Sequence, residues 1–160
     1  MVSTAKLRLA DVIPESNIVP ALKATKKEAA IRELVNVLAS AGAIPKSRVR
    51  EVTDAVVARE KLGSTGIGRG IAVPHEKMDF IREPVGAFGK TAAGLDFSSL
   101  DGAPTFSVFL FLSPAEPPDR HIALMSRFVT LIRKPDFVSF LAQTQGAKAL
   151  HEFLREVDEW

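Results

Sequence analysis

The chain has 160 residues, 46% of them hydrophobic and 25% charged, which is typical of one globular domain of ordinary composition. Its 21 basic and 19 acidic side chains leave a net charge of +2, too small to indicate nucleic-acid binding. The absence of cysteine excludes disulfides, thiolate metal sites and cysteine nucleophiles. No apolar run approaches the ~20 residues of a membrane span, so we expect no direct membrane insertion. The N-terminus lacks the apolar core of a signal peptide, and we therefore expect a cytoplasmic protein.

The first half of the chain predicts two amphipathic helices behind a short N-terminal segment. Residues 1–24 are expected to form a short helix or an extended piece over the core. The spacing of Thr25 and Glu28 is that of a capping box, which predicts the start of the first helix, and Gly42 is expected to end it. A second helix is predicted over residues 47–63. The glutamates of these helices are interpreted as solvated charges: Glu28, Glu33, Glu51 and Glu60.

The segment 63–70 contains four glycines in eight residues, a density that predicts a loop because glycine is unfavourable in helices and strands. A dinucleotide-binding fingerprint fails because Ile71 stands where Gly or Ala is required. A Walker loop fails because Arg69 stands where Lys is required. Two interpretations of the loop remain: a tight connector, or a concave nest of backbone amides that binds an anion.

The second half of the chain predicts the remaining elements of a layered α/β domain. Short apolar runs predict strands at 71–73, 85–88 and 105–112. The last of these is apolar nearly throughout, as in a central strand covered on both faces. Residues 94–102 are rich in turn formers. Helices are predicted to begin at Asp119, Pro135 and Ala147.

His75 is the first candidate for chemistry. It follows Pro74, which removes a backbone amide and restricts the chain, so the imidazole is expected at the end of a strand. A neutral imidazole has a nucleophilic nitrogen, and with loop amides and Arg59 nearby it would suit attack on an anionic phosphoryl group. The alternative is a partly buried histidine bonded to the backbone.

The other two histidines are interpreted differently. His121 lies in the first turn of a predicted helix, either as a surface residue or as a group that donates to a phosphoryl oxygen or helps to bind a metal. No His-Glu-x-x-His or similar spacing is present, so we expect no metal site. His151 lies on the last helix and is assigned to the surface.

The run from Arg59 to His75, R-E-K-L-G-S-T-G-I-G-R-G-I-A-V-P-H, closely resembles a known family signature. It is similar to that of the enzyme IIA domains of the fructose/mannitol class of the bacterial phosphotransferase system, which includes the nitrogen-regulatory enzyme IIA. The resemblance continues through 94–97, 100–102 and His121 and covers roughly residues 7–157. It implies a three-layer α/β/α sandwich with a mixed central sheet, formed by residues 1–160 as one domain.

The resemblance also implies the site residues. His75 is then the phosphorylated histidine, flanked by Arg59 and His121. The loop lines the same pocket, and its implied phosphate-pocket residues are Ser64, Thr65, Gly66, Gly68 and Gly70. The family needs no metal or cofactor for this step. A bidentate arginine suits phosphoryl oxygens in a way that lysine does not.

The function implied by the resemblance is that of a phosphocarrier, a phosphotransferase component that acts through a phosphohistidine. Its donor would be HPr or the nitrogen-branch paralogue of HPr, and its acceptor a IIB domain or a regulated protein. The absence of fused transporter domains favours the nitrogen-regulatory type, with sugar transport left open. The alternative from another class is a non-phosphorylated interaction module with the same fold.

Glu76 departs from the family pattern, which usually has a small residue after the histidine. A carboxylate pointing inward would repel phosphate, so we predict that Glu76 points to solvent.

Overall fold

Helices and strands alternate along residues 7–160, the part of the chain that the computed structural model describes. The helices are α1 (Leu9–Val12), α2 (Lys27–Ser40), α3 (Val49–Leu62), α4 (Asp119–Ile132), α5 (Pro135–Gln143) and α6 (Ala147–Val157). The strands are β1 (Ile18–Val19), β2 (Gly66–Gly68), β3 (Ile71–Ala72), β4 (His75–Met78), β5 (Val85–Leu95) and β6 (Thr105–Pro114). Single 3-10 turns lie at Glu15–Asn17 and Lys46–Arg48. Of the segment predicted for 1–24, residues 1–6 lie outside the described part, and the rest forms both a short helix and a strand.

All of these strands belong to one mixed sheet with the order β1-β5-β6-β3-β2, and β4 also pairs with β6. The pairs β1–β5, β3–β6 and β4–β6 are parallel, whereas β5–β6 and β2–β3 are antiparallel. The predicted mixed sheet is therefore confirmed. Within residues 7–160, no helix combines the length and the apolar character needed to cross a membrane.

The central strand β6 separates two hydrophobic cores. Phe109 and Phe111 face a core built with α1, α4, α5 and α6. Val108 and Leu110, the alternate residues, face a second core built with α2 and α3. Helices thus cover both faces of the sheet, as predicted for a three-layer α/β/α sandwich.

Strands β3 and β4 are two parts of one stretch of chain that runs parallel to β6. Ile71 lies opposite Ser107 and His75 lies opposite Phe111, so the register continues unchanged across the interruption. The interruption falls at Pro74, which has no N–H to donate, although its carbonyl accepts from the Phe111 amide at 3.0 Å. Strand β3 thus ends before Pro74, as predicted, but the sequence analysis did not anticipate β4, which begins at His75 and continues the same line.

The glycine-rich segment is not a simple loop. Residues 66–68 form β2, which pairs with β3 as a hairpin whose turn is Arg69 and Gly70. The prediction of a loop was wrong there because pairing with β3 supplies backbone hydrogen bonds that local propensity does not anticipate. Strand β5 likewise continues to Leu95, past the predicted end at Phe88, because β6 pairs with it from Val85 to Lys90 and again at Leu95.

The two ends of α2 differ in how well the sequence predicted them. The capping box was wrong, since α2 begins at Lys27 and its N-cap residue Lys26 makes no side-chain capping bond. The end was right. Gly42 has a φ of +79°, the left-handed conformation that favours glycine, and the amides of Gly42 and Ala43 donate to the carbonyls of Ala39 and Leu38.

Two side chains assigned to the surface are partly buried instead. The Glu33 carboxylate accepts from the amides of Lys23 and Ala24, at 3.1 and 3.0 Å, and thereby holds the segment before α2. His151 is half-buried, with Nε2 2.9 Å from the Ala10 carbonyl, so it ties α6 to α1. Both side chains bond to residues outside their own helix, and the spacing of apolar residues within a helix does not reveal such partners.

Candidate active site

The structure brings His75 and His121 together. His75 is the first residue of β4, and its register opposite Phe111 places it on the sheet face that α4 covers. His121 lies in the first turn of α4. The centroids of the two imidazole rings are 5.6 Å apart, and the rings are tilted by 35°. Two residues 46 positions apart in sequence (121 − 75) therefore share one half-buried site.

A hydrogen bond to the backbone fixes the proton of His75. Its Nδ1 lies 2.7 Å from the carbonyl oxygen of Val73. A carbonyl oxygen only accepts, so Nδ1 carries the proton and donates it. The lone pair of the neutral ring is then on Nε2, which makes no hydrogen bond within residues 7–160. The backbone interaction considered above as an alternative to a chemical role is thus also what prepares Nε2 as a nucleophile.

The surroundings of His121 favour its neutral form. Burial is the main cause that lowers its pKa, and electrostatic interactions with His75 and Lys77 lower it further, while the Glu76 carboxylate raises it. Its Nδ1 is buried and has no hydrogen-bond partner in the described part of the chain. A buried polar atom without a partner is costly, so this nitrogen is available to a group that enters the site.

Lys77 belongs to the site and was missed by the sequence analysis. It lies two residues after His75 in β4, on the same face of the sheet, and its charge acts on His121. Because the strand was expected to close at Pro74, the alternation of 73, 75 and 77 was not followed past the proline. That alternation is the signal that would have identified Lys77.

Glu76 lies between these residues on the opposite face of the strand. It is half-buried, and its carboxylate accepts from the amide of Lys77 at 2.8 Å. The prediction that it points to solvent is confirmed only in part, since the residue is half-buried, although strand alternation directs it away from His75. It is near enough, however, to raise the pKa of His121.

Arg59 is bonded to the end of its own helix. The half-buried side chain donates from Nη1 to the Gly63 carbonyl at 3.0 Å. The α3 helix that carries it packs on the sheet face opposite to α4. Since a guanidinium has five N–H donors, this bond leaves most of the donors of Arg59 available.

Ser64 and Thr65 use their hydroxyls to hold the base of the hairpin. Thr65 donates from its amide and from Oγ1 to the Glu60 carboxylate, at 3.1 and 2.6 Å. Ser64 Oγ donates to the Phe97 carbonyl and accepts from the Gly66 amide. Glu60 is only 4% exposed, so its interpretation as a solvated charge was wrong. Its partner is a loop that helical periodicity does not locate.

The glycines of the hairpin are spread along its length. Gly66 lies opposite Ala72, near the base, whereas Gly68 lies opposite Ile71. Ile71 is four residues from His75 along the same line of strand, a separation of roughly 13 Å. Gly68 and Gly70 therefore lie at the end of the hairpin far from the histidine pair.

The tip of the hairpin already binds a carboxylate from within the chain. Asp101 accepts from the amides of Arg69 and Ala103, each at 3.0 Å, and these bonds, the one from Arg69 first, hold the pKa of its carboxyl below the usual value. The Gly70 carbonyl accepts from Phe106 and Ser107. These internal bonds favour the interpretation of the glycine-rich segment as a connector over that of an anion nest.

This geometry supports nucleophilic chemistry at one imidazole with a second imidazole beside it. Within residues 7–160, no group of three or more His, Asp or Glu side chains is arranged to hold a metal ion. The chain belongs to the family described as "Phosphoenolpyruvate-dependent sugar phosphotransferase system, EIIA 2", which matches residues 11–157.

Within that family the chain is similar to nitrogen-regulatory and to sugar-specific proteins. It is 33% identical to a nitrogen regulatory protein of Bradyrhizobium diazoefficiens over 91% of this chain and 94% of that protein. It is 29% identical over 96% of its length to the fructose-specific EIIABC component of Bacillus subtilis, of which it spans 24%. The crystal structure of nitrogen regulatory protein IIA-Ntr from Neisseria meningitidis superposes with a TM-score of 0.81, at 26% identity, over 91% of this chain and 98% of that one.

Proposed function

We propose that residues 1–160 form one IIA-type domain that works as a cytoplasmic phosphocarrier, with Nε2 of His75 as the phosphoryl acceptor. The observation that carries the proposal is the hydrogen bond from Nδ1 of His75 to the Val73 carbonyl. It fixes the tautomer and leaves Nε2 with a lone pair directed away from that bond. The proposed donor is phosphorylated HPr or its nitrogen-branch paralogue.

The transfer step needs positioning and charge stabilisation more than covalent work by the protein. The Nε2 lone pair of His75 forms a bond to phosphorus while the bond from phosphorus to the donor imidazole breaks. That electron pair returns to the donor ring, whose other nitrogen carries a proton, so the donor leaves as a neutral imidazole and His75 becomes a phosphoimidazolium. Nδ1 keeps its proton throughout, because the Val73 carbonyl accepts it. Nothing else needs to be supplied or removed for atoms and charge to balance.

The neighbours of His75 have distinct proposed roles. His121, whose pKa is lowered by burial, presents its buried Nδ1 to a phosphoryl oxygen. Lys77 offsets the negative charge of the phosphoryl group from the same face of β4. Arg59 uses the donors left free by its bond to Gly63 and is proposed to close on the phosphoryl oxygens when a partner docks.

Onward transfer is proposed to a IIB domain, or the phosphorylated form is read by a regulated protein. The similarity to nitrogen regulatory proteins over nearly full length favours the regulatory role. The similarity to a fructose-specific component keeps sugar transport as the alternative.

The experiment is phosphorylation with phosphoenolpyruvate, enzyme I and HPr, and in parallel with the nitrogen-branch paralogues. We expect an acid-labile mass increase of one phosphoryl group. His75→Ala is expected to abolish it, whereas His151→Ala, which alters a histidine bonded to Ala10, is expected to leave it intact. If neither donor set labels a folded protein, the phosphocarrier is excluded and the interaction module takes its place.

A further inference from the structure

A cavity of ≈810 Å³ lies at the end of the sheet away from the histidine pair. Its walls come from β3, β5 and β6, from the segment 20–22 before α2, and from the connection between α5 and α6. Ile71 and Ser107 line it. They are paired with each other, four residues before the pair formed by His75 and Phe111. The volume is within the range of about 300–1,000 Å³ that is usual for small-molecule sites.

The lining combines apolar walls with positive charge. Its larger apolar side chains include Leu22, Ile71, Phe106, Val138 and Leu141. Its charged side chains are Arg69 and Lys90, and no aspartate or glutamate is among the described residues that line it. A large apolar body and a small number of fixed polar groups are the features that orient a bound organic molecule.

Lys90 lies half-buried in the wall of the cavity. Its Nζ donates to the carbonyls of Leu141 and Thr144, each at 2.8 Å, at the end of α5. Those carbonyls belong to the negative end of a helix, which is equivalent to only about half a charge. Burial lowers the pKa of Lys90, as expected where no carboxylate offsets the ammonium.

Two further groups add to this positive field. Arg69 also lines the cavity, and its guanidinium donates from Nη1 to the Ile132 carbonyl at 2.8 Å, which leaves it further N–H donors. The α6 helix begins beside the cavity at Gly146, and no side chain caps its first turn. A helix N-terminus without a cap favours a negative charge near it.

We infer that this cavity binds a small organic anion with an apolar body, its anionic head beside Arg69 and Lys90 and its apolar part against Phe106, Val138 and Leu141. The chemical class is an amphiphilic carboxylate or phosphate monoester. The site is separate from His75, and its occupancy does not depend on phosphoryl transfer.

The test uses a pair of fluorescent probes of similar shape, the anionic anilinonaphthalene sulfonate and the neutral phenylnaphthylamine. We expect saturable binding of one sulfonate probe per chain and at least about tenfold weaker binding of the neutral probe. Arg69→Gln is expected to weaken sulfonate binding about tenfold. Equal affinity for the two probes, or binding that does not saturate, would overturn the inference.

A variant that fills the cavity locates the probe. Ala142→Trp places an indole at an exposed lining position and is expected to abolish binding. Ala29→Trp, the same change on the exposed face of α2, is expected to have no effect. Both variants must show the cooperative unfolding of the parent. Unchanged binding in folded Ala142→Trp would contradict the assignment.

Competition identifies the head group. Octanoate and octyl phosphate share a chain and differ in charge and head, so displacement of the probe by one at lower concentration shows which head the site prefers. Displacement by neither would exclude both classes and overturn the inference.

Discussion

The two ends of the line formed by β3 and β4 use their polar groups in opposite ways. At the hairpin end, the Arg69 amide is bonded to Asp101 and the Gly70 carbonyl accepts two amides. At the histidine end, Nε2 of His75 makes no hydrogen bond within residues 7–160, and Nδ1 of His121 is buried without a partner there. Groups that are satisfied internally hold the fold, whereas groups left unsatisfied are available to a substrate.

This contrast separates the framework of the site from its chemistry, although both lie in one short stretch of sequence. Changes to the framework should alter the free energy of unfolding. Changes at the histidine end should alter phosphoryl transfer and leave unfolding nearly the same.

The largest effect is expected at Glu60, which holds the base of the hairpin. Glu60→Ala leaves the amide and hydroxyl of Thr65 without their acceptor and removes the ion pair of Lys27 with Glu60, whose atoms are 3.7 Å apart. We expect a loss of about 2–4 kcal/mol in the free energy of unfolding, measured by urea denaturation. The control is Glu51→Ala, whose exposed pair with Arg48 should contribute less than about 0.5 kcal/mol. Equal effects of the two changes would show that burial of Glu60 is not what matters.

A smaller loss is expected from Gly70→Ala at the hairpin end. Gly70 has a φ of +80°, and an added Cβ would lie 3.3 Å from the Phe106 ring. The left-handed conformation costs a residue with a Cβ about 1–2 kcal/mol. The matched control is Gly63→Ala, in extended backbone at a φ of 176° with no atom near the added Cβ, which should not destabilise.

The same variant tests the assignment of Gly70 to the phosphate pocket. Because Gly70 lies far from His75, folded Gly70→Ala should be phosphorylated at the parent rate. If Gly70→Ala lowered the rate as much as a histidine variant does, the hairpin tip would belong to the phosphate pocket. The proposed separation of framework and chemistry would then be wrong.

At the histidine end, Lys77→Met is expected to slow phosphorylation of His75 by about threefold to tenfold, which corresponds to roughly 0.7–1.4 kcal/mol in the barrier. The reason is the loss of a positive charge on the same face of β4. Lys77→Arg should restore most of the rate. Removing this charge should also raise the pKa of His121, whereas Glu76→Gln should lower it, both measured by NMR titration. A rate unchanged by Lys77→Met would exclude Lys77 from the transfer step.

The smallest expected effect is on the pH dependence of stability. The pKa of His121 is lower in the folded protein than its ordinary value of 6.5. The unfolded chain therefore binds the proton more readily, and the contribution of His121 to stability is complete above about pH 6.5 and is lost as the pH falls through its folded pKa. Denaturation between pH 8 and 5 should show a steeper loss in the parent than in His121→Gln. Parallel curves would contradict the lowered pKa.

Much of the architecture could be predicted from local pattern. The apolar spacing in α2, α3, α4 and α6 and the continuous apolar run of β6 indicate helices and a central strand without any tertiary information. The end of α2 at Gly42 was predictable because a left-handed residue there is a local requirement. The start of α2 was not, because Thr25 has no geometric need to cap a helix that the core positions by its apolar face.

The residues of the site were likewise predictable where a local pattern identified them and not where a tertiary contact did. His75 was identified from a contiguous motif, whereas Lys77 was missed because the pattern was read as ending at Pro74. Glu60 was misassigned because its partner Thr65 lies beyond the end of the helix. For Lys77 the missing information was the pairing of β4 with β6. For Glu60 it was the turn of the chain after α3, which brings Thr65 back to the carboxylate.

The sequence by itself determined the composition limits, the family signature from Arg59 to His75 and the apolar faces that sort helices onto a sheet. Only the tertiary structure decided that the ring centroids of His75 and His121 lie 5.6 Å apart, that Nδ1 of His75 is bonded to the Val73 carbonyl, and that the hairpin tip lies away from them. The reason is physical. Periodicity is a property of neighbours along the chain, while tautomer, burial and pKa depend on neighbours through space, which the pairing of β4 with β6 and the packing of α4 create.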